Sequence, residues 1–406
     1  MEQQHLDHRE FGSELDLFAS HPLVGPGLPL WLPAGAVIRS ELEKLAAEEA
    51  LRSGAQRVYS PVLAKRELYE LSGHWQKFSE DMFPVLKVGQ QELVLRPANC
   101  PHHAMIYASR PHSWRDLPVR YAELGAMFRS ELSGVLSGLS RVRQINLDDC
   151  HVFCTPNQAR QEVVRAIQAI QRGYQILDLQ VDYYRLSARG PESLGESEQW
   201  DQAEALLESV LQELALPYRR VEGEAAFYGP KIDAQFIDAA GKEETISTVQ
   251  FDFVQPERFG LKYIAEDGAA RQPLMIHRGL FGSMERMISL LLEKYQAQLP
   301  PWLAPIQLVL LPIGEAQLAA AESAAESLAG QGVRVDLELE GSLGSRIRKA
   351  RNNRVPWIAV IGAREAESGT VNLSLPKLGV DRELAVDELI LSLSKNLAER
   401  SSSPSL

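Results

Sequence analysis

FRSELSGVLSGLSRVRQINLDDCHVF, residues 128–153, is the stretch from which the rest of the chain is read. Two extended runs, 119–130 and 140–153, flank a Ser/Gly-rich turn, and the pattern predicts a long hairpin. Residues two apart on a strand share a face. Arg141, Arg143, Ile145, Leu147, Asp149 and His151 are therefore expected on one side. An ordinary half-buried strand sorts apolar from charged side chains. Here one face runs from two cations through apolar residues to a carboxylate and an imidazole. That mixture predicts the wall of a cleft: arginines for phosphates, Ile145 for a flat ring, Asp149 and His151 for a polar substrate. A solvated hairpin is the competing reading.

Outward from the hairpin, residues 36–51 read as an amphipathic helix, with Ile38, Leu42, Leu45 and Glu49 at helical spacing. QRVYSPVL (56–63) reads as a short strand broken by Pro61, and 91–96 as a strand. RPANCPHHAMIY turns into a helix, with Pro101 where a first turn tolerates it. Helices are expected at 158–177 and 198–215, and strands at 225–238 and 245–254. LMIH (274–277) reads as a strand end, after which Gly279 and Gly282 loosen the chain before a helix at 283–295. The proline-dense QLPPWLAP (298–305) marks a boundary between domains at 1–300 and 301–406. Beyond it, strands and helices alternate, as in a small α/β domain.

The 406 residues are 45% hydrophobic and 24% charged, a normal balance for a globular chain large enough to bury a core unaided. Three cysteines, Cys100, Cys150 and Cys154, argue against a disulfide framework and suit a reducing compartment. No run reaches membrane-span length, and MEQQHLDHREFG lacks the apolar core of a signal peptide, so a cytoplasmic protein without membrane contact is expected. A net charge of −12 counts mildly against a nucleic-acid partner, although a local basic strip can sit on an acidic body.

Cys100, His151 and His277 are metal-ligand types, but their spacing says almost nothing, and each has a bland reading as a buried thiol or a hydrogen-bonded histidine. Cys150 and Cys154 lie off the face of His151 or beyond it and read as structural.

FRSE (128–131), the Ser/Gly turn and RVR resemble motif 2 of class II aminoacyl-tRNA synthetases, and GSMERM (282–287) resembles their motif 3. The helix at 36–51 and the strand ending at Pro61 resemble motif 1, which builds a homodimer interface. NCPHH (99–103), LDDCHVF (147–153), AAFYGPKID (225–233), STVQFDF (247–253) and MIHRGLFGSMER (275–286) are similar to the threonyl-tRNA synthetase family within that class.

The resemblance implies a mostly antiparallel sheet flanked by helices, followed by a C-terminal α/β anticodon-binding domain. It implies Zn2+ on Cys100, His151 and His277, with L-threonine bound through its amine and hydroxyl, Asp149 accepting the hydroxyl proton, and Tyr228 and Thr248 around the amino acid. It implies ATP with Mg2+: Arg129 on the α-phosphate, Glu131 at the adenine amine, Ile145 against the ring, Arg141 and Arg286 at the γ-phosphate and ribose end, and Lys231 and Gln250 lining the site. His74 matches a histidine implicated in transfer to the terminal ribose of tRNA(Thr), where a near-neutral proton acceptor is suited. Arg354 and Glu365 match anticodon-contacting positions.

Three departures carry expectations. Ile145 replaces an aromatic. Ser374 stands where relatives carry an anticodon-reading arginine, and predicts relaxed anticodon discrimination. The chain begins near the catalytic core without the modules that remove mischarged serine. A missing methyl is worth only about 1–3 kcal/mol of discrimination, so uncorrected seryl-tRNA is expected. The alternatives are a paralogue that activates a hydroxy amino acid for a non-tRNA acceptor and a non-catalytic tRNA-binding regulator.

Overall fold

A computed structural model describes residues 7–191, 193–237, 241 and 243–405. The polar N-terminal stretch read above lies partly outside them, in residues 1–6, as does residue 238 at the end of one expected strand.

Helix α1, Pro33–Arg52, opens on a proline whose missing N–H had no partner to lose. Its buried stripe is Ile38, Leu42, Leu45 and Glu49, and the carboxylate in that stripe pairs with Arg172 at 3.0 Å. Helix α2, Cys100–Ala108, follows the small sheet of Leu63–Lys65, Leu86–Val88 and Gln91–Leu95. Helices α3 (Pro156–Ile176), α4 (Ser197–Glu213) and α5 (Met284–Tyr295) are the other long helices of the first unit. Thr155 and Gln158 form a capping box that starts α3 directly after the hairpin.

Among the described residues the main sheet has eight strands: β1 (Gln56–Arg57), β2 (Val119–Phe128), β3 (Gln144–Cys154), β4 (Tyr183–Ala188), β5 (Tyr218–Glu222), β6 (Lys231–Ile237), β7 (Glu243–Asp252) and β8 (Leu274–Ser283). Their order is β5-β4-β6-β7-β8-β3-β2-β1. The two outermost pairs are parallel and every inner pair is antiparallel. The expected hairpin is β2–β3.

Period-two alternation divides the central strands. Ile232, Val249, Ile276, Leu280, Cys150 and Val152 face the core built with α1, α3 and α5. The intervening residues Lys231, Gln250, His277, Asp149 and His151 line a cleft on the other face. Cys150 and Cys154 are thus buried core thiols.

Three expectations are corrected. LMIH does not end its strand, because β8 runs on to Ser283. Gly282 permits close approach rather than loosening: it has φ +60°, and a Cβ there would stand 2.3 Å from the Ile246 carbonyl oxygen. Of the run 56–63 only Gln56–Arg57 joins the main sheet, because the chain past Pro61 turns into the small one. Of 225–238, residues before Lys231 form a turn.

That turn places Tyr228 and Lys231, and it is tightly fitted. A Cβ on Gly229 would lie 1.6 Å from the Phe251 carbonyl oxygen. Backbone cannot yield as a flexible side chain does, so Gly229→Ala is expected to destabilise by about 1–3 kcal/mol or more. Chemical denaturation would show a lower midpoint. An unchanged midpoint would mean the turn relaxes freely.

The second unit has strands β9 (Leu308–Pro312), β10 (Val335–Leu337), β11 (Trp357–Ile361), β12 (Thr370–Leu375) and β13 (Val380–Ala385), in the order β10-β9-β11-β12-β13. Helices α6 (Leu318–Gly330) and α9 (Val386–Ala398) pack on one face, and α7 (Leu343–Asn352) on the other; α8 (Ala363–Ser368) follows β11. The parallel half and the antiparallel half meet at β11. Arg334 reaches Glu41 at 3.2 Å, and Arg400 binds Glu48, tying this unit to α1. No described helix is long and apolar enough to cross a membrane.

Candidate functional site

The cleft on the polar face of the main sheet encloses about 390 Å³. At one end Cys100, His151 and His277 bring one sulfur and two ring nitrogens within 4.8 Å of one another. The sheet accounts for most of this. His151 and His277 are register partners on β3 and β8, and Cys100 begins α2, directed at them by the NCP junction.

Two hydrogen-bond chains set the ring tautomers. His277 Nε2 lies 2.9 Å from Asp252 Oδ2, so its N–H points there. Asp252 is buried, and accepts also from the Val254 and Gln255 backbone N–H groups and the Gln255 side chain. His151 Nδ1 lies 2.8 Å from His103 Nδ1, and His103 Nε2 lies 3.1 Å from Glu123. Burial pushes the Glu123 carboxyl up, but His103, Ser60 and Arg96 together hold it at about 2, so it accepts from His103. Protons then run one way, from His151 to His103 to Glu123. With neutral rings, His151 Nε2 and His277 Nδ1 both present lone pairs, 2.9 Å apart. That arrangement fits a cation. A thiolate and two imidazoles suit zinc, and three protein donors leave it an open position.

Around this end, Tyr228 stacks on His277 with centroids 5.0 Å apart, and its hydroxyl bonds Gln250. Gln250 Nε2 in turn lies 3.3 Å from Thr248 Oγ1, and Asp149 stands 3.6 Å from His151. The polar groups gathered here match an amino acid better than an apolar ligand.

At the other end Arg129 and Arg286 line the cleft with Ile145 and Met127, which pair across β2 and β3 as an apolar patch. Burial lowers the Arg129 pKa and Arg286 adds to this, while Glu131 opposes it. Two guanidiniums converging on a partly dry cleft invite an anion. Lys231 pairs with Asp233 at 2.6 Å, a carboxylate that Arg185 also reaches at 3.1 Å.

Four expected residues, Arg141, Arg143, Glu131 and His74, do not line the cleft. Arg141 and Arg143 precede β3, which starts at Gln144, so strand alternation does not apply to them. Arg143 turns to the Ser130 and Glu131 carbonyls, and Arg141 pairs with Glu131 at 2.8 Å beside the cleft. His74 lies behind the site, 4% exposed, with Nε2 3.7 Å from the Cys100 sulfur, and burial lowers its pKa to about 3.

In the second unit Arg354 and Glu365 do not meet. Arg354 precedes β11 and approaches Glu14 at 3.7 Å, whereas Glu365 follows β11 and caps α8 through the Gly362 N–H. A five-residue strand separates them, roughly 17 Å at 3.3 Å per residue. Ser374 shares a 540 Å³ pocket with Arg351, Arg354, Lys377 and Asp381.

Reading the sequence missed His103, Glu123 and Asp252. A signal existed for two of them. His103 sits one helical turn from Cys100, and Asp252 has the strand parity of Gln250. Glu123 carried no such mark.

Residues 83–295 match the model of the tRNA synthetase class II core domain (G, H, P, S and T), and residues 307–396 that of the anticodon binding domain. The chain is 45% identical over 404 residues to the threonine--tRNA ligase of Listeria monocytogenes serotype 4a, covering 97% of this chain and 63% of that relative's length. It is similar in structure to the RNA binding domain of threonyl-tRNA synthetase from Cryptosporidium parvum Iowa II, with TM-score 0.92, 35% identity and 99% of each chain covered. The putative threonyl-tRNA synthetase ThrRS-1 of Aeropyrum pernix gives TM-score 0.84 and 27% identity over 98% of each chain.

Proposed function

The chain belongs to the threonyl-tRNA synthetase family, and from that premise we propose that it activates L-threonine with ATP and Mg2+ and transfers it to tRNA(Thr), selecting the amino acid at a zinc site. The observation that carries this is the pair of facing lone pairs on His151 and His277, beside Cys100 and at the head of an arginine-lined cleft.

Cys100, His151 Nε2 and His277 Nδ1 would hold the ion. Bound there, Zn2+ supplies open positions that suit an amine and a hydroxyl. Asp149 accepts the hydroxyl proton, and Tyr228, Gln250 and Thr248 surround the amino acid. Valine has the shape of threonine and lacks the hydroxyl, so it leaves Asp149 unpaired; a site built for a hydroxyl rejects such an isostere by roughly 10⁴-fold. Serine keeps the hydroxyl and is rejected only by the lost methyl, so charging with serine is expected at a measurable rate.

The threonine carboxylate attacks the α-phosphorus, an O–P bond forms, and pyrophosphate leaves with the electron pair of the broken bond. Arg129 and Arg286 stabilise the charge that develops on phosphate oxygens without moving a proton. Ile145 and Met127 cover the adenine. Arg141 and Glu131 stand at the mouth, and binding at the adenine amine or γ-phosphate requires their ion pair to open. In the second step a ribose hydroxyl of the tRNA attacks the carbonyl carbon, the bond from that carbon to the phosphate oxygen breaks, and AMP leaves with the bond's electron pair while its phosphate takes the hydroxyl proton. His74, dry and of lowered pKa, serves better as a support for the Cys100 sulfur than as the proton acceptor there. For tRNA, the C-terminal ends of β9 and β11, where α8 carries Glu365, are the usual ligand edge of such a sheet. Arg354 lies at the other edge. Loss of anticodon selectivity through Ser374 is tested by charging anticodon variants of tRNA(Thr), with strict selectivity overturning it.

The deciding experiment is threonine-dependent ATP–pyrophosphate exchange by zinc-loaded protein, followed by charging of total tRNA. Exchange with charging supports the ligase. Exchange without charging moves the function to another acceptor, and the absence of both overturns the proposal. A second test concerns support of the metal. Asp252→Asn keeps the shape but removes the charge behind His277, so zinc affinity is expected to fall about 10- to 100-fold. Competition against a chromophoric chelator measures it, and an unchanged affinity removes Asp252 from that role.

A further inference from the structure

We propose that His8 is a positioning residue for the nucleotide half of the cleft, the pin that holds the turn between β2 and β3 where Arg286 needs it; this rests on reading that half as an ATP site. His8 opens the short helix His8–Glu14 and is 4% exposed. Its ring uses both nitrogens. Nδ1 lies 2.6 Å from Glu293 Oε1 and donates to it, while Nε2 accepts from the Leu139 backbone N–H at 3.0 Å. The other tautomer would set N–H against N–H and a lone pair against a carboxylate, so a single neutral form bridges α5 to the turn.

The turn is gripped twice by the same helix. Arg286 and Glu293 stand seven residues apart on α5, hence on one face. Arg286 Nε binds the Ser140 carbonyl directly at 3.2 Å, and Glu293 holds Leu139 through His8. Leu139 itself is fully buried. Gly138 completes the fit. It has φ +47°, and a Cβ there would lie 2.2 Å from His8 Nε2 and 2.7 Å from Arg9 Cγ, so the turn closes over His8 only with glycine at that place. A second tether from the N-terminal segment, Arg143 N–H to the Gly27 carbonyl at 2.7 Å, fixes the far side. The segment thus acts on the cleft without touching substrate. It orients Ser140, which aims Arg286, and Arg141, which pairs with Glu131.

The test compares His8→Ala, His8→Gln and Gly138→Ala with the unaltered chain. Hydrogen–deuterium exchange across 132–141 reports the turn, calorimetric titration with ATP reports the nucleotide site, and pyrophosphate exchange separates KM for ATP from KM for threonine. Freeing the turn in His8→Ala should raise deuterium uptake there and raise both KM and Kd for ATP about tenfold or more, since small displacements of positioning groups have effects of that order. KM for threonine should hardly move, His8→Gln should recover part of the loss, and Gly138→Ala should repeat it from the opposite side. Uptake unchanged, or ATP and threonine constants rising together with a fallen melting temperature, would overturn the proposal. An unaltered chain with no exchange activity but with ATP binding that still depends on His8 would sink the ligase reading and leave the pin standing.

Discussion

Cys100→Ser should abolish threonine activation while leaving the fold and ATP binding nearly intact. The change is close to isosteric at a buried position, so the lost property is chemical. A serine hydroxyl is a poor ligand for zinc beside two imidazoles, and the remaining pair holds the ion weakly. Without the metal, the threonine hydroxyl loses a partner, and the lone pairs of His151 and His277 face each other uncompensated. A fall of about 10³-fold or more in kcat/KM for threonine is expected, in keeping with sites that lose the partner of a recognised hydroxyl. Purified protein should carry one zinc per chain before the change and little after it. Activity within tenfold of the original in a chelator-treated sample would show that the ion is not what selects the amino acid.

Arg129→Ala is the second large effect. Its guanidinium lines the cleft with Arg286 and has no acidic partner within ion-pair distance among the described residues. A cation so placed is held ready for charge that appears only during reaction. Removal should lower kcat for pyrophosphate exchange by about 10²- to 10³-fold, the usual effect of losing one preorganised stabilising group. KM for threonine should change little, because the residues proposed to hold the amino acid lie at the other end of the cleft. Arg129→Lys should recover only part, since an ammonium cannot reproduce a planar fork on phosphate. A loss smaller than tenfold would assign the α-phosphate to another group.

Much of this was legible in the sequence, for definite reasons. The hairpin and its mixed face followed from period two, and the helices from the stripes Ile38–Leu42–Leu45 and Ile288–Leu291–Leu292. That Cys100, His151 and His277 come together was legible only through resemblance, because sheet register joins the two histidines, the start of α2 brings Cys100 to them, and no spacing rule encodes either. What failed to show had physical causes too. Strand β5, YRRVE, and strand β13, VDRELA, are polar edge strands with little apolar alternation. The continuation of β8 through two glycines reads as a loop until the Ile246 carbonyl is seen against Gly282. Arg141 and Arg143 were placed by starting the strand at 140, four residues before its first residue, Gln144. His74 was matched by type, and burial alone reveals that it stands behind the sulfur.

The pairing of His151 with His277 also limits how these strands can change in length. One residue inserted or deleted between Gln144 and His151 would turn the imidazole to the core face and bring a core residue into the cleft. Strand β8 already carries an irregularity where four steps, Gly279 to Ser283, oppose two, Asp149 to Leu147. The surplus is two, an even number, so the facing of side chains beyond it is preserved. Indels near this site should therefore be tolerated in pairs and not singly, a limit on the parity of strand length that holds whichever residues occupy the positions.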